Sequence, residues 1–259
     1  MIQIHALPAF TDNYIWLLHD VHADRCAVVD PGDAAPVEAW LDAHPTCRLT
    51  QILITHHHRD HTGGLDALKE RTGATAWGPA TEAIHGLDHR LMEGDQVDVL
   101  GHAFHVSDVP GHTAGHIAFH GALNDQSNLF CGDTLFAAGC GRLFEGSPAQ
   151  MYASLEKLAE LPDSTLIYCA HEYTLSNLRF AVVAEPDNSE TAKRLTEVES
   201  MRAESKITVP TTLDVERRTN PFLRVQEPSL RAGLERHAGQ ALDTPEDAFR
   251  VLRAWKDAF

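Results

Sequence analysis

Gln51-Ile52-Leu53-Ile54-Thr55-His56-His57-His58-Arg59-Asp60-His61-Thr62-Gly63-Gly64 is the stretch whose reading decides the fold. Its apolar start reads as a buried strand. At the strand's end stands the pattern H-x-H-x-D-H, at His56, His58, Asp60 and His61. Residues i and i+2 leaving a strand project to the same side, so His56 and His58 can reach one metal together. Asp60 and His61 follow as the chain turns towards a helix and can aim at a second position nearby. His57 alternates with the first pair and is expected to face away. Neutral imidazole and carboxylate are ligands that borderline divalent metals accept without thiolates. With 17 His among 259 residues, composition alone predicts roughly 0.006 occurrences of this pattern, so a histidine-rich surface loop is a poor explanation.

Three further segments set ligand types after expected strands. Val109-Pro110-Gly111-His112 offers His112 in a Gly-rich turn, Cys131-Gly132-Asp133-Thr134 offers Asp133 where the backbone must turn sharply, and Cys169-Ala170-His171 offers His171 after an apolar run. Each is weak alone. Together the four strand ends supply seven ligands, which suits two metals sharing a bridging carboxylate. His116 is read either as a residue orienting a ligand or as a buried, hydrogen-bonded histidine.

Working outward, the chain carries 21 Lys+Arg and 37 Asp+Glu, a formal net charge of −16. Such acidity disfavours non-specific nucleic-acid or anionic-membrane binding, both of which need a positive field. No apolar run approaches the roughly 20 residues a membrane helix requires, and the first residues do not read as a secretory leader. The five cysteines contain no C-x-x-C, so a disulfide framework is not implied and a reduced, cytoplasmic protein is expected. The charge is uneven. Residues 1–174 carry 8 basic and 23 acidic side chains, a net of −15, and the remainder 13 and 14, a net of −1.

The pattern type changes near the same place. Short β-rich runs are expected at Tyr14–His19, Arg25–Asp30, Leu49–Thr55, Gln96–Leu100, Ala103–Val109, His116–His120, Asn128–Cys131 and Thr165–Cys169. Helices are expected at Ala35–His44, Thr62–Arg71 and Pro148–Leu161. Many short strands with few helices and no strict βαβ alternation read as two packed sheets with helices outside. The last third reads as helical: Ser189–Ser205 after an Asp187 or Asn188 cap, a helix opened by Pro228, and one begun by Thr244-Pro245-Glu246-Asp247. The chain is therefore α+β.

On these residues the chain resembles the metallo-β-lactamase-fold hydrolases and, among them, is similar to the glyoxalase II (hydroxyacylglutathione hydrolase) family. The resemblance implies a four-layer αββα sandwich over 1–172 as catalytic domain and a small helical, substrate-binding domain over 173–259. It implies that His56, His58 and His112 hold one metal, that Asp60, His61 and His171 hold the other, and that Asp133 bridges them. Gly139-Cys140-Gly141-Arg142-Leu143-Phe144-Glu145-Gly146 matches the family's glutathione loop, with Arg142 at a basic position and Phe144 where Tyr is common. Tyr173 matches a substrate contact, Asn220-Pro221-Phe222-Leu223-Arg224 a helical-domain signature, and Arg253 with Lys256 a carboxylate-binding pair.

The implied activity is hydrolysis of S-2-hydroxyacylglutathione, such as S-lactoylglutathione, to glutathione and D-lactate, the second step of methylglyoxal detoxification. Two divalent metals, zinc first with iron or manganese as options, would present a hydroxide to the thioester carbonyl, with Asp60 and Asp133 as the catalytic carboxylates. A thiol leaves as thiolate, its reference pKa being near 8.5, so no general acid is required. The expected partner is the small thioester alone, with no nucleic acid or membrane, and a monomer is the expected state. The competing readings are a lactonase, a β-lactamase, a nuclease or a persulfide dioxygenase of the same superfamily, or a non-catalytic metal-binding module.

Overall fold

The computed structural model describes residues 1–259. They form two compact units: Met1–Asp108 with Thr113–Gly132, and Val109–His112 with Asp133–Phe259.

The first unit holds β1 (Ile2–Ala9), β2 (Asn13–Asp20), β3 (Arg25–Val29), α1 (Ala34–Ala43), β4 (Arg48–Leu53), α2 (Arg59–Thr62), α3 (Leu65–Thr72), β5 (Thr75–Pro79) and β6 (His89–Leu91), followed by β7 (Gln96–Val99), β8 (His102–Asp108), β9 (Ile117–Leu123) and β10 (Gln126–Gly132). Strands β1 to β6 form one sheet in sequence order. Its first three strands are antiparallel and the next joins are parallel. A parallel join needs a crossover, and α1 and α3 supply those on either side of β4. Strands β7 to β10 form an antiparallel meander.

β2 explains the layering. Every residue from Asn13 to Leu18 is buried, so both faces of its sheet are covered. Ile15 and Leu17 point to one side, where they join Val28, Ile52 and Ile54 in a core closed by Val37 and Leu41 of α1 and by Leu65 and Leu68 of α3. Trp16 and Leu18 on the other side are equally buried, as are Phe104, Val106, Phe119 and Phe130 of the meander. Each such side chain contributes about 1.5–3 kcal/mol by leaving water. The Gln51 side-chain amide is bonded to the backbone of Asp98 and Leu100, and Asn124 to that of Ile2. These bonds stitch the two sheets together.

The second unit holds β11 (Leu135–Phe136), β12 (Gly139–Cys140), α4 (Pro148–Ala159), β13 (Leu166–Cys169), α5 (Thr174–Ala184), α6 (Ser189–Ala203), β14 (Thr211–Thr212), α7 (Leu213–Thr219), a 3-10 turn at Pro221–Leu223, α8 (Pro228–Ala238) and α9 (Pro245–Ala258). Its helix starts are chemically marked. Ser147 and Gln150 make a capping box with Pro148 at the first position, Asn188 caps α6, and Thr244 caps α9 through the Asp247 amide. α5 packs on α6, while α9 packs on α4 and α8.

Differences from the sequence expectations are local. The expected helix Thr62–Arg71 is divided at Gly63-Gly64 between α2 and α3, where the chain runs so close to its neighbours that a Cβ would come within 2.5 Å of Gly32 O and 2.6 Å of Ala34 N. Strands β1, β5 and β6 and helices α5 and α7 were not expected. β1 alternates over Ile2-Gln3-Ile4-His5 but loses the period in Ala6-Leu7-Pro8-Ala9. α5 buries the polar Thr174 and Asn177 and exposes Val183, so its hydrophobic pattern does not follow its burial.

Candidate metal centre

In the first unit the chain leaves β4 and packs three imidazoles together. The ring centroids of His56 and His58 lie 4.7 Å apart, and those of His56 and His61 4.0 Å. His56 and His61 are fully buried. Asp30, at the end of β3, organises both. Its Oδ2 lies 3.0 Å from His61 Nδ1 and accepts the Thr55 hydroxyl at 2.7 Å, while Oδ1 accepts the Thr55 amide at 2.7 Å.

The tautomers follow from proton counting. A carboxylate only accepts, so His61 Nδ1 carries its proton. The Thr55 hydroxyl has given its one proton to Asp30, so at 3.1 Å it accepts from His56 Nδ1. Both Nε2 atoms are therefore left as lone-pair donors, the form a metal requires. His61 Nε2 stands 3.5 Å from Asp60 Oδ2, which Asn13 Nδ2 holds at 3.1 Å. His57 turns one ring nitrogen to buried Glu82 at 3.0 Å, yet its ring stays 5.0 Å from that of His58. His116 is buried and stacks on His56 with centroids 4.6 Å apart.

In the second unit, His112 donates from Nδ1 to Arg142 O at 2.8 Å, which again leaves Nε2 bare. That Nε2 lies 3.3 Å from Asp133 Oδ2, and His171 Nε2 lies 3.3 Å from Asp133 Oδ1. One carboxylate thus offers each oxygen to a different imidazole. Two glycines make the placements possible. Gly111 has φ +153° with Met151 against it, and Gly132 has φ +49°, where a Cβ would come within 2.3 Å of Thr55 Oγ1. An imidazole lone pair facing a carboxylate oxygen is held together by a proton or a metal cation. The chain carries His/Asp clusters able to hold metal ions, and their N/O donor set fits a borderline divalent metal.

The expected substrate residues all lie in the second unit. Arg142 is exposed, with Nε 3.4 Å from Asp257 Oδ1. Arg253 departs from a solvated helix face: it is only 6% exposed, donates to Cys140 O at 2.9 Å and pairs with Asp257 at 2.9 Å. Lys256 stands over the Phe180 and Phe259 rings. Burial, and then the Arg253 charge, hold its pKa below the usual lysine value. Phe144 is 61% exposed and meets the His112 ring edge-on at 5.2 Å. Tyr173 stacks on His171 at 4.7 Å. Sequence reading missed Asp30, Asn13, Glu82 and Asp257. Only Asp30, ending an apolar strand before Pro31-Gly32, left a local signal.

Residues 10–171 match the metallo-β-lactamase superfamily, and residues 172–259 match the hydroxyacylglutathione hydrolase C-terminus. Hydroxyacylglutathione hydrolases of Pseudomonas aeruginosa (strain LESB58) and Pseudomonas savastanoi pv. phaseolicola are 59% and 60% identical, each with 100% of both chains covered. ETHE1 from Myxococcus xanthus aligns over 100% of this chain and 99% of its own, with 26% identity and a TM-score of 0.65. TTHA1623 in a di-iron-bound form covers 85% of this chain and 100% of its own, with 25% identity and a TM-score of 0.58. The fold is the metallo-β-lactamase fold, two sheets flanked by helices with a helical C-terminal region. On the match of residues 172–259 and the full-length identities, the chain belongs to the hydroxyacylglutathione hydrolase (glyoxalase II) family.

Proposed function

We propose that this chain hydrolyses the thioester of S-2-hydroxyacylglutathione, with S-lactoylglutathione as the type substrate, at a dinuclear metal centre. His56, His58 and His112 would hold one metal, Asp60, His61 and His171 the second, and Asp133 would bridge. The observation that carries the reading is Asp133 itself, whose two oxygens each lie 3.3 Å from a different imidazole. Zinc suits this donor set, as do iron and manganese, and a relative of this fold is known in a di-iron-bound form. When bound, two such metals supply Lewis acidity towards a carbonyl and a water acidic enough to ionise near neutral pH.

The protein's own groups do the rest. Asp30 and Thr55 lock the His56 and His61 tautomers, and Arg142 O locks that of His112. Phe144 and Tyr173, packed on His112 and His171, offer apolar faces to the thioester. Arg142 and Lys256 supply positive charge for the glutathione carboxylates. The leaving sulfur departs as thiolate without a proton donor. In this reading residues 1–172 act as the catalytic domain and 173–259 as the substrate-binding domain. We place the enzyme as a monomer in a reducing, cytoplasmic compartment; five buried thiols support that.

One purified sample should be assayed for bound metal and for hydrolysis of S-lactoylglutathione, a lactone and a β-lactam. Divalent metal with the thioester strongly preferred is the expected result. Metal with a preference for the lactone or β-lactam would overturn the substrate assignment.

A further inference from the structure

The β11–β12 hairpin connects two of the proposed ligands. Asp133 precedes it by two residues. Arg142, whose carbonyl accepts a hydrogen bond from His112 Nδ1, follows it by two. Strands of two residues are too short to hold their own shape. Here side chains of the helical region hold the hairpin at every residue from Phe136 to Cys140. Asn220 Nδ2 lies 3.0 Å from Phe136 O and 2.9 Å from Gly139 O. Asn177 Nδ2 donates to Ala137 O at 3.0 Å, the Ala138 amide donates to Glu216 Oε2 at 2.7 Å, and Arg253 donates to Cys140 O.

The grip works against local preference. Ala138 has φ +56°, a conformation that a residue with a Cβ keeps only when its surroundings over-determine it. Asn220 and Glu216 are both fully buried. Two carbonyls can only accept, so it is the amide nitrogen of Asn220 that faces them. Glu216 Oε2, 3.0 Å from the same nitrogen, fixes that orientation, and Arg194 and Thr211 hold the other Glu216 oxygen.

We propose that Asn220, oriented by Glu216, is a positioning residue for the metal ligands Asp133 and His112, acting through the β11–β12 hairpin. The helical region would then tune the metal centre as well as receive the substrate. This rests on the reading of Asp133 and His112 as ligands.

The test is zinc affinity of the full-length Asn220→Ala chain, measured by chelator competition, alongside kcat and KM for S-lactoylglutathione. Zinc binding should weaken about 10-fold or more, the usual effect of losing a group that orients a ligand. kcat should fall with it while KM stays within about twofold. A change in KM alone, or a lower Tm with unchanged zinc affinity, overturns the proposal. Should Asn220→Ala fail to fold, Asn177→Ala removes one bond to the same hairpin and should weaken zinc binding less but measurably; an unmoved affinity there overturns the proposal too. Asn188→Ala is the control, since that side chain bonds to Glu185 and Arg218 O. It should lower Tm without touching zinc affinity, and equal weakening there would mean general loosening and sink the proposal. A wild-type chain that binds no zinc, iron or manganese would remove the metal-centre reading as well; normal wild-type binding with an unmoved Asn220→Ala removes this inference alone.

Discussion

Asp133 shows how much one residue can be asked to do. It follows Gly132, whose left-handed backbone turns the chain, and it faces His112 with one oxygen and His171 with the other. Replacing it with Ala removes both contacts and the proposed bridging charge. Asp133→Ala should retain less than half the bound metal and lose at least about 100-fold in kcat/KM; metal analysis with thioesterase kinetics checks this, and full activity would defeat the dinuclear reading. Phe144 poses a milder question. Its ring is exposed beside His112 and carries no hydroxyl. Phe144→Tyr adds a group that can bond to the thioester. A new hydrogen bond is worth about 0.5–1.5 kcal/mol, so KM should drop by a few fold with kcat unchanged.

At the scale of elements, β1, β2 and α1 meet in a histidine cluster far from metal duty. His5 of β1 and His19 of β2 pack against Trp40 of α1, and His44 at the end of α1 stacks on the same indole at 3.9 Å. Burial, then the neighbouring His19 and His44, lower the His5 pKa. A depressed folded pKa means that the unfolded chain takes the proton first. Stability is therefore present above pH 6.5 and falls as the pH drops below it. Urea unfolding at about pH 5 and about pH 7.5 should show lower stability at acid pH, and His5→Leu should flatten that slope. An unchanged slope would exclude His5 as a source. The starts of α4, α6, α8 and α9 read true from sequence because Ser, Asn, Thr and Pro act locally there. α5 escaped notice because it buries polar Thr174 and Asn177 and exposes Val183, which weakens the apolar period a helix displays.

At the scale of the molecule, the acidic excess lies in residues 1–174 and the later part is nearly neutral. The proposed centre collects five His and two Asp from four separate stretches of chain. Metal that binds only the folded arrangement must stabilise it by mass action. Removing it with a chelator should abolish hydrolysis and lower Tm by several degrees, both restored by zinc; an unshifted Tm would mean that the donors do not hold metal together. By itself the sequence determined the ligand types, their spacing after strands and the family, because an i, i+2 pair on a strand end and a run of motif residues are local facts. It also determined most strands and helix caps. Tertiary structure alone decided that Asp30 orients His56 and His61, that Arg253 is buried against Cys140 instead of lying on a solvated face, and which imidazole nitrogen is bare. Those outcomes depend on partners up to 113 residues away in the chain. Local periodicity carries no record of such contacts, since they arise only when the core has closed and each buried polar group must find an acceptor or donor.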